Sequence, residues 1–178
     1  MALLSMTDVR PDAEIDRLLK STVADAEQEW APLKYEGQYP TSGFGITELR
    51  PIIFKGGATD NIPSSEYWAA SIAASLTWQT WFDLTLTDMA YVMPTGVFNS
   101  EVSPMVTELR PSANGQDLPT VNIEQLYVLD WTRGWFEKPY AARPSNNVKM
   151  DIVSRNAVVE RIGLMGYLLA KRSYLILE

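Results

Sequence analysis

The chain is 178 residues long with a net charge of −7; apolar residues make up 46% and charged residues 21%, and there is neither cysteine nor histidine. That excludes disulfides and thiol chemistry, zinc centres built on Cys or His, and the Ser-His-Asp and Cys-His nucleophile systems. The acidic balance argues against a dedicated nucleic-acid binder, because basic residues gather only towards the C-terminus, at Arg143, Lys149, Arg155, Arg161, Lys171 and Arg172.

The length suits one hydrophobic core. Residues 1–45 read as an N-terminal arm carrying a helix over 12–30, and residues 46–178 as a β-sandwich domain. Met1–Met6 is too short for a signal peptide and runs into Asp8. The longest apolar run, Ile162–Ala170, is too short to cross a bilayer as a helix.

In chain order, the helix comes first. Ile15, Leu18, Leu19, Val23, Ala26 and Trp30 recur at helical spacing, Pro11-Asp12 marks a start and Pro32 a stop. The opposite face is acidic, with Glu14, Asp25, Glu27 and Glu29. Such a helix packs on its own domain or lies across a neighbouring subunit. A loop over 34–45 precedes a strand at Ile46–Phe54 and a second loop at 58–66.

Trp68–Leu86 alternates with a period of two, which sets Ala70, Ile72, Trp78, Phe82 and Leu84 on one face of an extended chain. The run is too long for one strand, so a break is expected near Ala74–Thr77. A short helix from Ser64 to Leu76 is the rival reading. Met89–Met93 extends the ribbon to a turn at Pro94-Thr95-Gly96. Val97–Leu109 is extended, with Pro104 at an edge or bulge. Asn114-Gly115 is a strong turn signal. Val121–Asp130 and Trp135–Ala142 read as strands about a turn at Thr132–Gly134. After Pro144–Asn147, Val148, Met150 and Ile152 alternate with polar residues as a half-buried strand. Val158–Ala170 is a longer strand, with glycines at 163 and 166 where a bulge is expected. Tyr174–Leu177 is a short closing strand.

Some eight short strands after a single helix describe a mainly β chain, a jelly-roll-like antiparallel sandwich with an N-terminal amphipathic helix. The short Thr132–Gly134 connection fits the one hairpin that this topology allows. Ile46–Pro51 recurs as Val106–Pro111 with five of six residues identical. Two similar strand ends closed by Arg-Pro explain the echo, and so would two equivalent arginine contacts, Arg50 and Arg110, to a neighbour.

Chemistry is sparsely signalled. Glu48, Asp83, Asp88, Glu108, Glu124 and Asp130 are the candidate carboxylates, but none falls in a glycosidase spacing. Asp60-Asn61 and Asn114–Asp117 are candidate oxygen-ligand loops for calcium, which ordinary turn chemistry also explains. The chain is read as no enzyme, and no metal or organic cofactor is expected. Trp131, Trp135 and Phe136 cluster at one turn, either as a platform for sugar rings or as buried core or interface.

The run Trp135–Asn147 with its Pro139-Tyr140 and Pro144-Ser145-Asn146, the alternating Val148–Ile152, and Ile162–Tyr167 with its Gly166-Tyr167 pair resemble the closing strands of viral jelly-roll coat proteins. The size and single sandwich resemble the smaller single jelly-roll capsid protein of internal-membrane icosahedral viruses of halophilic archaea and Thermus. The resemblance implies a virion structural protein with no catalytic residues. It implies assembly into an icosahedral shell with copies of itself and a second, larger capsid protein, in contact with the internal viral membrane surface and without specific nucleic acid. The expected assembly interface comprises Leu18, Leu19, Val23 and Trp30 on the helix, with Arg50, Arg110, Trp131 and Trp135. The alternative is a carbohydrate-binding sandwich module with an aromatic platform.

Overall fold

The computed structural model describes residues 3–4, 6–35, 43–49, 70–101, 103–129 and 131–171. The arm strands β1 (Leu3–Leu4) and β2 (Met6–Thr7) precede the helix α1 (Asp12–Tyr35). Then come β3 (Phe44–Glu48), β4 (Ala70–Ile72), β5 (Gln79–Thr85), β6 (Ala90–Asn99) and β7 (Val106–Ala113). β8 (Gln116–Asp117), β9 (Thr120–Asn122) and the short helix α2 (Glu124–Val128) follow. The chain continues through β10 (Arg133–Phe136), β11 (Asn147–Ser154), β12 (Val158–Glu160) and β13 (Ile162–Lys171).

One sheet has the order β1-β9-β7-β11-β5, with β8 on β7; the second has the order β2-β10-β6-β13-β3; β4 and β12 pair as a ribbon. Set aside the arm strands and the short β4, β8 and β12. The remaining strands, counted one to eight along the chain, give four-stranded sheets of order 2-7-4-5 and 1-8-3-6, all pairs antiparallel. Every connection except that between the fourth and fifth strands crosses from sheet to sheet. That is the jelly-roll order. The arm joins both sheets, because β1 lies parallel to β9 and β2 antiparallel to β10.

The core lies between the sheets. Phe82 and Leu84 of β5, Val148, Met150 and Ile152 of β11, and Leu109 of β7 meet Val92 and Val97 of β6, Leu164 and Leu168 of β13, and Phe136 of β10. The expected break in the long ribbon is real: β4 ends at Ile72, β5 begins at Gln79, and Leu76 between them has φ 53°. It resets the alternation. Phe82 and Leu84 point inward as the periodicity requires, but Trp78 is 37% exposed and packs under the Arg110 guanidinium, 4.5 Å from its ring centre. Trp81, assigned to the polar face by alternation, is buried against Phe82. The register of β5 on β11 slips there, with Met150 opposite Phe82 and Asp151 opposite Thr80, so Trp81 is the extra residue of a bulge and turns inward.

The helix carries a second core on the outer face of the second sheet. Ala26 and Trp30 pack with Met89, Tyr91 and Met93 of the β6 segment and Leu169 of β13. Trp30 meets Phe44 edge-on at 5.5 Å and Tyr91 at 5.9 Å. The Tyr91 hydroxyl donates to Glu29, and burial, then that bond, hold its pKa far above the ordinary tyrosine value. Helix on one side and sandwich core on the other explain why β6 is buried along nearly its whole length.

Other sequence expectations need correction. α1 runs to Tyr35, three residues past Pro32, so the helix does not stop at the proline. Pro94-Thr95-Gly96 is no turn; it lies inside β6, where the register slips from Gly96 opposite Met165 to Pro94 opposite Gly166. The bulge leaves Thr95 unpaired and accommodates the proline. The expected slip at Gly166 is thus present, and a Cβ there would come within 2.2 Å of the Met93 carbonyl oxygen. The expected strand Val121–Asp130 is not one strand: its described residues, 121–129, form the end of β9 and then α2, and β10 stops at Phe136. The within-sheet hairpin is at Asn114-Gly115, with φ of 55° and 73°, rather than at Thr132–Gly134. Of the rival helix from Ser64 to Leu76, residues 64–69 lie outside the described residues, and Ala70–Ile72 is the strand β4, so the chain there is extended and not helical. The strand beyond Leu49 and the closing strand at 174–177 lie outside the described residues.

Candidate functional site: an open depression on the outer face of the second sheet

The helix covers only part of that outer face. Alternation along the strands sends Glu48 of β3, Met165 and Tyr167 of β13, Phe98 of β6, and Arg133 and Trp135 of β10 to the same side, beyond the helix. Their inward neighbours Leu49, Leu164, Val97 and Phe136 belong to the sandwich core. The uncovered part forms an open depression of about 780 Å³. The β6 bulge forms part of its lining. There Thr95 is buried and its hydroxyl has no hydrogen-bond partner. Gly96 lets β10 come close, since a Cβ would fall 2.4 Å from the Gly134 carbonyl oxygen.

Arg10, on the segment between β2 and α1, closes one wall. Its guanidinium lies 5.6 Å from the Trp135 ring centre, donates to the Tyr167 hydroxyl at 2.7 Å and pairs with the exposed Asp12 at 3.0 Å. Arg133 and Glu48 have neither an ion pair nor a side-chain hydrogen bond among the described residues. The depression therefore combines aromatic faces with two cations near β10 and one carboxylate on β3.

The residues singled out from sequence do not converge. Trp30 is 1% exposed inside its own chain, so it is withdrawn as an interface residue; its ring is needed to cover the second sheet. Leu18, Leu19 and Val23 flank the same helix core, half-buried. Arg110 bonds Asp151 at 2.9 Å and covers Trp78, and Arg50 lies outside the described residues. Arg110 and Ile46 also show how the two halves of the sequence echo diverge. Ile46 is exposed on the edge strand β3, whereas its counterpart Val106 is buried in β7, and Pro111 does not end its strand. Trp131 packs on the sandwich core, Phe136 lies within it, and Trp135 faces the depression. Three aromatics adjacent in sequence thus make no common platform.

Nor do the carboxylates form a pair. Asp83 accepts from Asn147, Glu124 pairs with Arg155, and Asp60, Asn61 and Asp130 lie outside the described residues. Among the described residues no three acidic groups gather as a metal site. Asn114 instead fastens its hairpin, accepting from the Arg143 backbone at 2.8 Å and donating to the Ala141 carbonyl at 3.0 Å.

Two polar clusters escaped the sequence reading. Asp151 is buried and bonded to Arg110 at 2.9 Å, Lys149 at 3.0 Å and Thr80 at 2.9 Å. Burial pushes its carboxyl up, and these bonds outweigh it, so its pKa lies below the ordinary value. Glu160, 1% exposed, accepts from the backbone N–H of Met105 and Val106, both at 3.0 Å, and from the Asn99 amide. Asn99 also donates to Tyr127, which donates to the Val106 carbonyl at 2.9 Å. Both join partners far apart in sequence, which no local spacing announces.

No protein-family model matches the sequence, and comparison with curated proteins finds no similar chain.

Proposed function

We propose that the chain is a virion structural protein, a jelly-roll capsid subunit that assembles with copies of itself and a second, larger capsid protein into an icosahedral shell. The observation that carries this reading is the strand order 1-8-3-6 facing 2-7-4-5, taken with the resemblance over residues 135–167. Jelly rolls serve chiefly as capsid and lectin domains and as cupins. A cupin holds its metal with histidines inside the barrel, and here the chain has none and the interior is filled by Trp81, Phe82, Leu109, Phe136 and Met150. Fold alone does not assign function, so the test is assembly. Sedimentation and electron microscopy of the concentrated chain over a range of salt should show discrete oligomers or lattice fragments, and particles from the source should contain the chain as a major component. A strict monomer at every salt concentration, absent from such particles, would overturn the proposal.

A further inference from the structure

We propose that the depression beside the helix is a binding site for an anionic oligosaccharide two or three rings long. The inference goes beyond the capsid reading and does not depend on it. α1 leaves part of the outer face of the second sheet uncovered, and that part is not a plain apolar surface awaiting a helix. Its three half-buried aromatics, Trp135, Tyr167 and Phe98, stand on three adjacent strands. Arg10 lies over the Trp135 ring, Tyr167 packs on the helix core and Phe98 on the sandwich core. The parts of these rings that line the depression are the surface that C–H groups of successive sugar rings would meet. The charges are divided across the sheet. Arg133 stands on β10 and Arg10 leans over Trp135, while Glu48 stands on β3, three strands away and so about 14 Å across the sheet. Of these three, Arg133 and Glu48 have no hydrogen-bond or ion-pair partner among the described residues, and Arg10 is held by the Tyr167 hydroxyl, the exposed Asp12 and the Trp135 ring.

That arrangement suits a ligand with a carboxylate or sulfate at one end and hydroxyls at the other. The arginines would take the anion through charge-assisted hydrogen bonds, and Glu48 would accept from paired hydroxyls. The β6 bulge, which carries the unpartnered Thr95 hydroxyl and the close approach at Gly96, shapes the lining where the middle ring would lie. An acidic peptide would meet the same cations, but it would leave Glu48 facing a like charge or nothing.

The test is calorimetric titration of the full, unassembled chain with sialyllactose, a sulfated lactose, lactose and a short oligoglutamate. Both anionic sugars should bind, with lactose at least about tenfold weaker, the loss expected for one charge-assisted hydrogen bond. Arg133→Ala should abolish the preference over lactose, and Glu48→Gln should weaken all three sugars. Both side chains are exposed, so circular dichroism should show the variants folded. Absence of sugar binding, equal affinity for lactose and sialyllactose, equal affinity for oligoglutamate, or anionic binding unchanged by Arg133→Ala would each overturn the proposal. Because the readout is on unassembled chain, its failure leaves the assembly experiment untouched, and the reverse holds too.

Discussion

Asp151 is the residue whose environment departs most from what its neighbours in sequence suggest. It stands in an alternating strand where an acid would normally face solvent, yet its side chain is 6% exposed between Arg110 and Lys149. Its folded-state pKa lies below that of the unfolded chain. The stability it contributes is therefore complete above the unfolded value, about 3.9, and is lost as pH falls through the lower folded value. Asp151→Asn should flatten the acid limb of a stability-against-pH curve measured by urea unfolding, and cost about 1–3 kcal/mol at neutral pH. Thr95 behaves oppositely. Its buried hydroxyl has no partner, so Thr95→Val, which keeps the shape, should stabilise the chain by about 1 kcal/mol in the same assay. Alternation exposed neither site, because one depends on a partner in β7 and the other on a bulge set by β13.

At the scale of elements, the ribbon between residues 70 and 85 teaches most. Its period of two was legible, and so was the need for a break. What the break and bulge do to the faces was not, because each single-residue slip reverses the direction of every side chain beyond it. Phe82→Ala should cost about 3–5 kcal/mol, while Trp78→Ala, which loses an exposed ring under Arg110, should cost about 1 kcal/mol or less in chemical denaturation. The helix makes a second case. Its stripe was plain in sequence, but whether it covered its own sheet or a neighbour depended on the outer face of β6 and β13. That face is apolar at Met89, Tyr91, Met93 and Leu169, and the stripe lies on it. Trp30→Ala should cost about 3–5 kcal/mol and lower the thermal midpoint of the isolated chain, an outcome that a helix reserved for a neighbour would not give.

Across the whole molecule, the crossing connections at one end of the sandwich are joined by the Glu160 cluster. It links the end of β6 through Asn99, the start of β7 through Met105 and Val106, and α2 through Tyr127. Glu160→Gln places an amide donor against donors that now find a carboxylate. It should cost about 1–3 kcal/mol and speed hydrogen exchange at the Met105 and Val106 amides and in α2 together, while exchange at the Asn114 hairpin stays as it was. Loss of protection at one amide alone would show that the cluster does not couple these connections.

By itself, the sequence determined the mainly β class, the helix near the N-terminus, the break in the long ribbon, the turn at Asn114-Gly115 and the apolar face of β11. All of these follow from periodicity and turn chemistry, which act over a few residues. Only the tertiary structure decided which strands pair, that residues 121–129 divide into the end of a short strand and a helix, that Trp131, Trp135 and Phe136 face different ways, and that Arg10, Glu48 and Arg133 meet around one depression. Those outcomes depend on register and on crossings between sheets. Both are set by partners distant in the chain, because a strand's faces acquire an inside and an outside only once something packs against them.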